Sequence, residues 1–78
     1  MLTLYPNPVR TEMTIGITGT SNDLVTISIM DIAGKKLIQV ENIRLNGKIT
    51  LDTGELKNGI YLLRIITGGK SYLRKFVK

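Results

Sequence analysis

Apolar side chains recur at every second residue in this chain, and turn-forming residues interrupt them roughly every 8–12 residues. Met13, Ile15 and Ile17 alternate with Thr14, Gly16 and Thr18. Val25, Ile27 and Ile29 alternate with Thr26, Ser28 and Met30. A period of two places each apolar trio on one face of a strand, and β-branched residues suit that pleated surface. The helical template fits poorly. From Leu24 the positions i+3, i+4 and i+7 are Ile27, Ser28 and Asp31, and from Leu37 they are Val40, Glu41 and Arg44. Only Leu56-Gly59-Ile60-Leu63 matches it, and Gly59 would cost a helix about 1 kcal/mol.

The turn residues define the segments. Tyr5-Pro6-Asn7-Pro8 breaks the first run, because proline lacks an N–H and fixes φ. Ser21-Asn22-Asp23 is a polar turn. Asp31-Ile32-Ala33-Gly34-Lys35 reads as a hairpin loop with Gly34 at positive φ. Asn46-Gly47 is the strongest two-residue hairpin signal, and Asn58-Gly59 and Gly68-Gly69 are further turns. The expected strands are residues 2–5, 12–18, 24–31, 35–41, 43–51, 60–67 and 70–77. The apolar phase slips between Val40 and Ile43, which a bulge or a crossing between sheets would produce. The expected fold is all-β, a small sandwich or barrel of about seven antiparallel strands.

With 78 residues the chain has room for one small domain, residues 1–78, and no linker or repeat divides it. Its mass of 8.7 kDa implies about 4,700 Å² of folded surface against about 12,600 Å² unfolded, hence a thin core. Cysteine and histidine are absent, which excludes disulfides, thiolate sites, imidazole bases and serine triads. No apolar run approaches the ~20 residues of a spanning helix. Asp52 and Glu55 form a weak candidate cation site, with ordinary Asx turn bonding as the competing reading. Gly68-Gly69-Lys70-Ser71 lacks the spacing of a phosphate loop. No residue set supplies a nucleophile with its base, so neither an enzyme nor a cofactor is expected.

Charge is unevenly distributed. Residues 1–56 carry five basic and six acidic side chains, a net −1. Residues 57–78 carry Lys57, Arg64, Lys70, Arg74, Lys75 and Lys78 with no acid, a net +6. Segment 59–66 is apolar on both faces, as a central strand would be. In the last strand Tyr72, Arg74 and Phe76 share one face and Leu73, Lys75 and Val77 the other, a mixture that marks an edge strand. Such an edge is open to another protein's sheet or to edge-to-edge dimers, or it is merely kept soluble by its charges.

Four segments in order carry a resemblance: Leu4-Tyr5-Pro6-Asn7-Pro8-Val9, Ile29-Met30-Asp31-Ile32-Ala33-Gly34-Lys35, Leu56-Lys57-Asn58-Gly59-Ile60-Tyr61-Leu62-Leu63 and Lys75-Phe76-Val77-Lys78. Together they resemble the type A C-terminal sorting domain of the type IX secretion system of Bacteroidota, the Por secretion tail. The resemblance implies an Ig-like β-sandwich at the end of a larger cargo. The cargo crosses the periplasm, and the tail directs it through an outer-membrane translocon with a shuttle protein. A surface sortase usually removes the tail, leaving the cargo at the cell surface or outside. Met1 with no leader segment then reads as the start of a fragment.

The resemblance also assigns roles. Pro6-Asn7-Pro8 would end the first strand and reverse the chain. Asp31, Gly34 and Lys35 would form the mid-domain hairpin. Gly59 would adopt a backbone conformation forbidden to a side chain, and Tyr61 would pack in the core. Arg74, Lys75, Phe76, Val77 and Lys78 would form the stretch the translocon reads, displayed by the Gly68-Gly69 hairpin: Arg74, Lys75 and Lys78 as attracting charges, Phe76 and Val77 as anchors. Two readings compete. A generic Ig-like module binding carbohydrate or protein has few exposed aromatics to use. A small basic nucleic-acid binder has only Tyr72 and Phe76, among Arg74 and Lys75, on which to stack bases, so no nucleic-acid partner is expected.

Overall fold

Seven strands form: β1 (Leu2–Tyr5), β2 (Glu12–Ile17), β3 (Leu24–Asp31), β4 (Lys36–Arg44), β5 (Lys48–Asp52), β6 (Ile60–Thr67) and β7 (Lys70–Val77). The structure is a computed structural model that describes residues 2–5, 8–17, 24–44 and 47–78. Among those residues there is no helix. The strands make two antiparallel sheets, ordered β1-β2-β5 and β4-β3-β6-β7. This is the expected small all-β sandwich.

The alternation read from the sequence fills the space between the sheets. Met13 and Ile15 from β2, Ile27 and Ile29 from β3, and Leu63 and Ile65 from β6 are all completely buried. Leu2, Ile17, Leu51, Val25, Tyr61 and Phe76 join the same cluster. Each such aliphatic side chain contributes roughly 1.5–3 kcal/mol by leaving water. The molecule exposes 5123 Å², more than the ~4,700 Å² its mass implies, as a thin two-layer body should.

The phase slip has a local cause. The fourth strand does not stop at residue 41 but runs unbroken through Arg44. Val25 pairs with Ile43 and Ile27 with Val40, so Glu41 and Asn42 together oppose Thr26. This is a β-bulge, and Asn42 takes the left-handed φ of 54° that asparagine tolerates better than most residues. The extra residue returns Ile43 to the side of Ile38 and Val40, and all three pack on the core.

Asn46-Gly47 does not close a hairpin. Gly47 takes a φ of 92°, but β4 pairs with β3 and β5 with β2, so this connection carries the chain from one sheet to the other. Asn46 itself lies outside the described residues, as do Ser21-Asn22-Asp23, Pro6 and Asn7. The 59–66 segment is central, as expected, but only one of its faces is sealed. Tyr61, Leu63 and Ile65 point into the core, whereas Ile60 and Ile66 on the other face stay about half exposed.

Candidate functional site: the C-terminal ribbon

The β6–β7 ribbon begins at a two-residue turn. Gly68 and Gly69 have φ of 52° and 77°, both left-handed, between the paired residues Thr67 and Lys70. Two consecutive positive φ values twist a tight hairpin in the sense its strands require, and glycine adopts them without steric penalty. The pairing then runs without a shift from Thr67↔Lys70 to Ile60↔Val77. β7 is one of the two edge strands of its sheet, β4 being the other.

At the far end the ladder continues one step beyond the strands. Gly59 N donates to Lys78 O at 3.0 Å, and Lys78 N donates to Gly59 O at 2.8 Å. Gly59 therefore acts as a ladder partner. It does not take a left-handed φ, and a Cβ there would meet nothing nearer than Tyr61 Cε2 at 4.0 Å, so the expected forbidden conformation is not its role. Tyr61 packs in the core as expected. Its ring stacks on Phe76 at 5.6 Å between centroids and 25° between planes, and its hydroxyl donates to Lys57 O.

The five residues expected to meet a translocon divide into two groups. Phe76 is buried against Tyr61, which removes it as an exposed anchor and as a platform for nucleic-acid bases. Lys78 is turned inward too. Its Nζ donates to Thr53 O at 2.7 Å, Leu56 O at 2.6 Å and Gly54 O at 3.2 Å. An ammonium has three donors, and these three carbonyls use them all. The remaining residues, Arg74, Lys75 and Val77, are exposed. Lys75 and Val77 share the outer face of the sheet with Leu73, opposite Leu62, Ile60 and Arg64 respectively.

Two features absent from the sequence reading lock this end. Val9, just after Pro8, is buried, and its N–H donates to Val77 O at 2.8 Å, so the β1–β2 connection covers the tip of the β7 edge. Thr53, completely buried, donates from Oγ1 to Arg10 O at 2.7 Å and from N to Thr11 O at 2.8 Å. A lone apolar residue after a proline was the only sequence signal for Val9. Thr53 and the Lys78 ammonium offered none.

The other motif residues serve the scaffold. Asp31 Oδ1 accepts from Ala33 N at 3.0 Å and Lys35 N at 2.9 Å, and Gly34 turns the chain at a φ of 90°. Lys35 closes the loop through its backbone, its carbonyl accepting from Asp31 N at 3.0 Å. Pro8 is exposed. Asp52 Oδ1 accepts from Gly54 N at 2.9 Å, the Asx turn that competed with a cation site, and no group of three or more acidic ligands gathers among the described residues.

The family model for the secretion system C-terminal sorting domain matches residues 3–78, from β1 through the last residue of the ribbon. No curated protein matches the chain. With that match reaching all seven strands, the chain belongs to the type IX secretion C-terminal sorting domain family, whose members are sorting signals that work with that machinery to deliver cargo to the cell surface or beyond.

Proposed function

We propose that this domain is the terminal export signal of a longer cargo protein. The cargo crosses the periplasm in transit, the domain directs it through the outer-membrane translocon with the help of a shuttle protein, and a surface sortase then removes the domain. Residues 1–78 act as one unit in this role, and the C-terminal ribbon is the part the machinery reads. The observation that carries the reading is the family match running through β7 to Lys78, where six basic residues and no acid occupy residues 57–78. The exposed charges Arg74 and Lys75 provide attraction to an acidic receptor, and Val77 provides apolar contact. Phe76 and Lys78 contribute indirectly, by holding the ribbon in place.

The test is a reporter fused upstream of the domain in a host that secretes by this route. Deleting residues 74–78 is a poor probe, because it also removes the Phe76 stack and the Lys78 hydrogen bonds. Arg74→Glu with Lys75→Glu reverses two exposed charges and leaves both intact. The expected result is reporter held in the periplasm with an unchanged melting temperature. Normal surface delivery of that double variant would refute the assignment of these charges.

A further inference from the structure

The edge of β7 is open along part of its length, and hydrogen-bond parity shows which part. Gly59 and Lys78 exchange both of their backbone bonds. In an antiparallel pair such exchanging positions alternate. Residues 70, 72, 74, 76 and 78 therefore turn their N–H and C=O groups toward β6, and residues 71, 73, 75 and 77 turn theirs outward. Val9 confirms the parity by donating to the outward carbonyl of Val77. Among the described residues no backbone partner meets the outward groups of Ser71, Leu73 and Lys75.

Apart from its charges, this stretch lacks the usual protections of a sheet edge. β7 is eight residues long, contains no proline and pairs without a bulge. Leu73 stands 51% exposed on it. Its charges are all of one sign. Arg64 lies directly opposite Leu73, and Arg74 and Lys75 follow along the strand. All three are exposed. The register places no carboxylate beside them: their cross-strand neighbours are Leu73, Leu63 and Leu62, and on the β3 side Arg64 meets Ser28. A second copy of this edge would bring like charges together, which opposes self-pairing. A lipid surface would leave the outward N–H and C=O groups without partners.

From these placements we infer that an extended acidic segment of a partner protein adds as a further strand beside β7, bonding to the backbone of Ser71, Leu73 and Lys75. Its carboxylates lie beside Arg64, Arg74 and Lys75, and an apolar residue covers Leu73. Taking that partner to be a component of the export machinery rests on the proposed function; the strand addition itself does not.

The test uses the ¹⁵N-labelled chain and a short N-acetylated peptide alternating Glu and Val, with a Lys–Val peptide and phosphatidylglycerol vesicles as comparisons. Strand addition predicts slowed amide exchange at Leu73 and Lys75 on adding the Glu–Val peptide, with Tyr72 and Arg74 unchanged because β6 already protects them. Arg74→Glu with Lys75→Glu should raise the peptide Kd roughly tenfold or more. Leu73→Pro removes an outward N–H that the fold does not use and should abolish binding at an unchanged melting temperature. Exchange at Leu73 and Lys75 that is indifferent to the peptide would overturn the inference. So would equal binding of the Lys–Val peptide, binding to vesicles alone, or self-association through this edge. The reporter assay separates the two claims. A wild-type domain that exports nothing defeats the export reading and leaves the peptide result standing. Full export of a folded Leu73→Pro variant shows that the machinery does not use this edge.

Discussion

Replacing Lys78 with methionine isolates the hydrogen bonds of its ammonium, because methionine keeps most of the apolar stem. Two acceptors, Thr53 O and Leu56 O, are part-buried, and the third, Gly54 O, is exposed. Bonds from a charged donor contribute about 1.5–3 kcal/mol each, so the two sheltered ones are worth about 3–6 kcal/mol. Fixing a lysine side chain offsets about 1.5–2 kcal/mol of that, and water reaches some of the freed carbonyls. The expected net loss is about 1–2 kcal/mol. For a chain of 78 residues this lowers Tm by roughly 5–15 °C. Lys75→Met is the control, an exposed lysine on the same ribbon that should change stability by no more than about 0.5 kcal/mol. Thermal and urea unfolding followed by far-UV circular dichroism measure both. Equal melting temperatures for the two variants would refute the claim that Lys78 is a structural residue.

Three further outcomes follow from the same contacts. Phe76→Ala empties a buried ring site stacked on Tyr61 and should cost about 3–5 kcal/mol, a large part of the ~4–12 kcal/mol available to a chain this size, read by urea titration. Asp31→Ala leaves the amides of Ala33 and Lys35 without their acceptor and should cost about 1 kcal/mol; faster amide exchange confined to the β3–β4 loop would locate the loss. Thr53→Val keeps the volume but removes the donor to Arg10 O, and should cost about 1–3 kcal/mol in the same unfolding assay.

The sequence was most legible where one face is dry. In β2, β3 and β6 a two-residue period against a sealed core leaves one register open, and those strands fall within a residue of their expected limits. It was least legible between Val40 and Lys48. A bulge and a strand end produce the same slip in apolar phase, and only pairing with β3 distinguishes them. Asn46-Gly47 has the chemistry of a tight turn wherever the next strand goes, and its destination depends on β2, some thirty residues earlier. The ribbon met the same limit. Its basic residues look equivalent along the chain, and what separates Lys78 from Lys75 is a turn at residues 53–56, brought close by the fold.

Because a strand alternates its side chains, one ribbon can satisfy the fold and a partner with different residues. On β7 and its extension, Tyr72 and Phe76 pack on the core and Lys78 ties the end, while Leu73, Lys75 and Val77 face out. A scan along the ribbon should therefore separate by parity. Substitutions at 72, 76 and 78 should lower Tm, and export should fall in proportion to the unfolded fraction. Charge reversal at 75 or a polar residue at 73 or 77 should leave Tm within about 4 °C and still reduce surface delivery of a reporter. Arg74 shares its parity with the core set but is exposed, so its reversal should fall with the outward group. If delivery instead follows Tm alone at every position, the machinery reads only whether the domain is folded, and the outward residues carry no message.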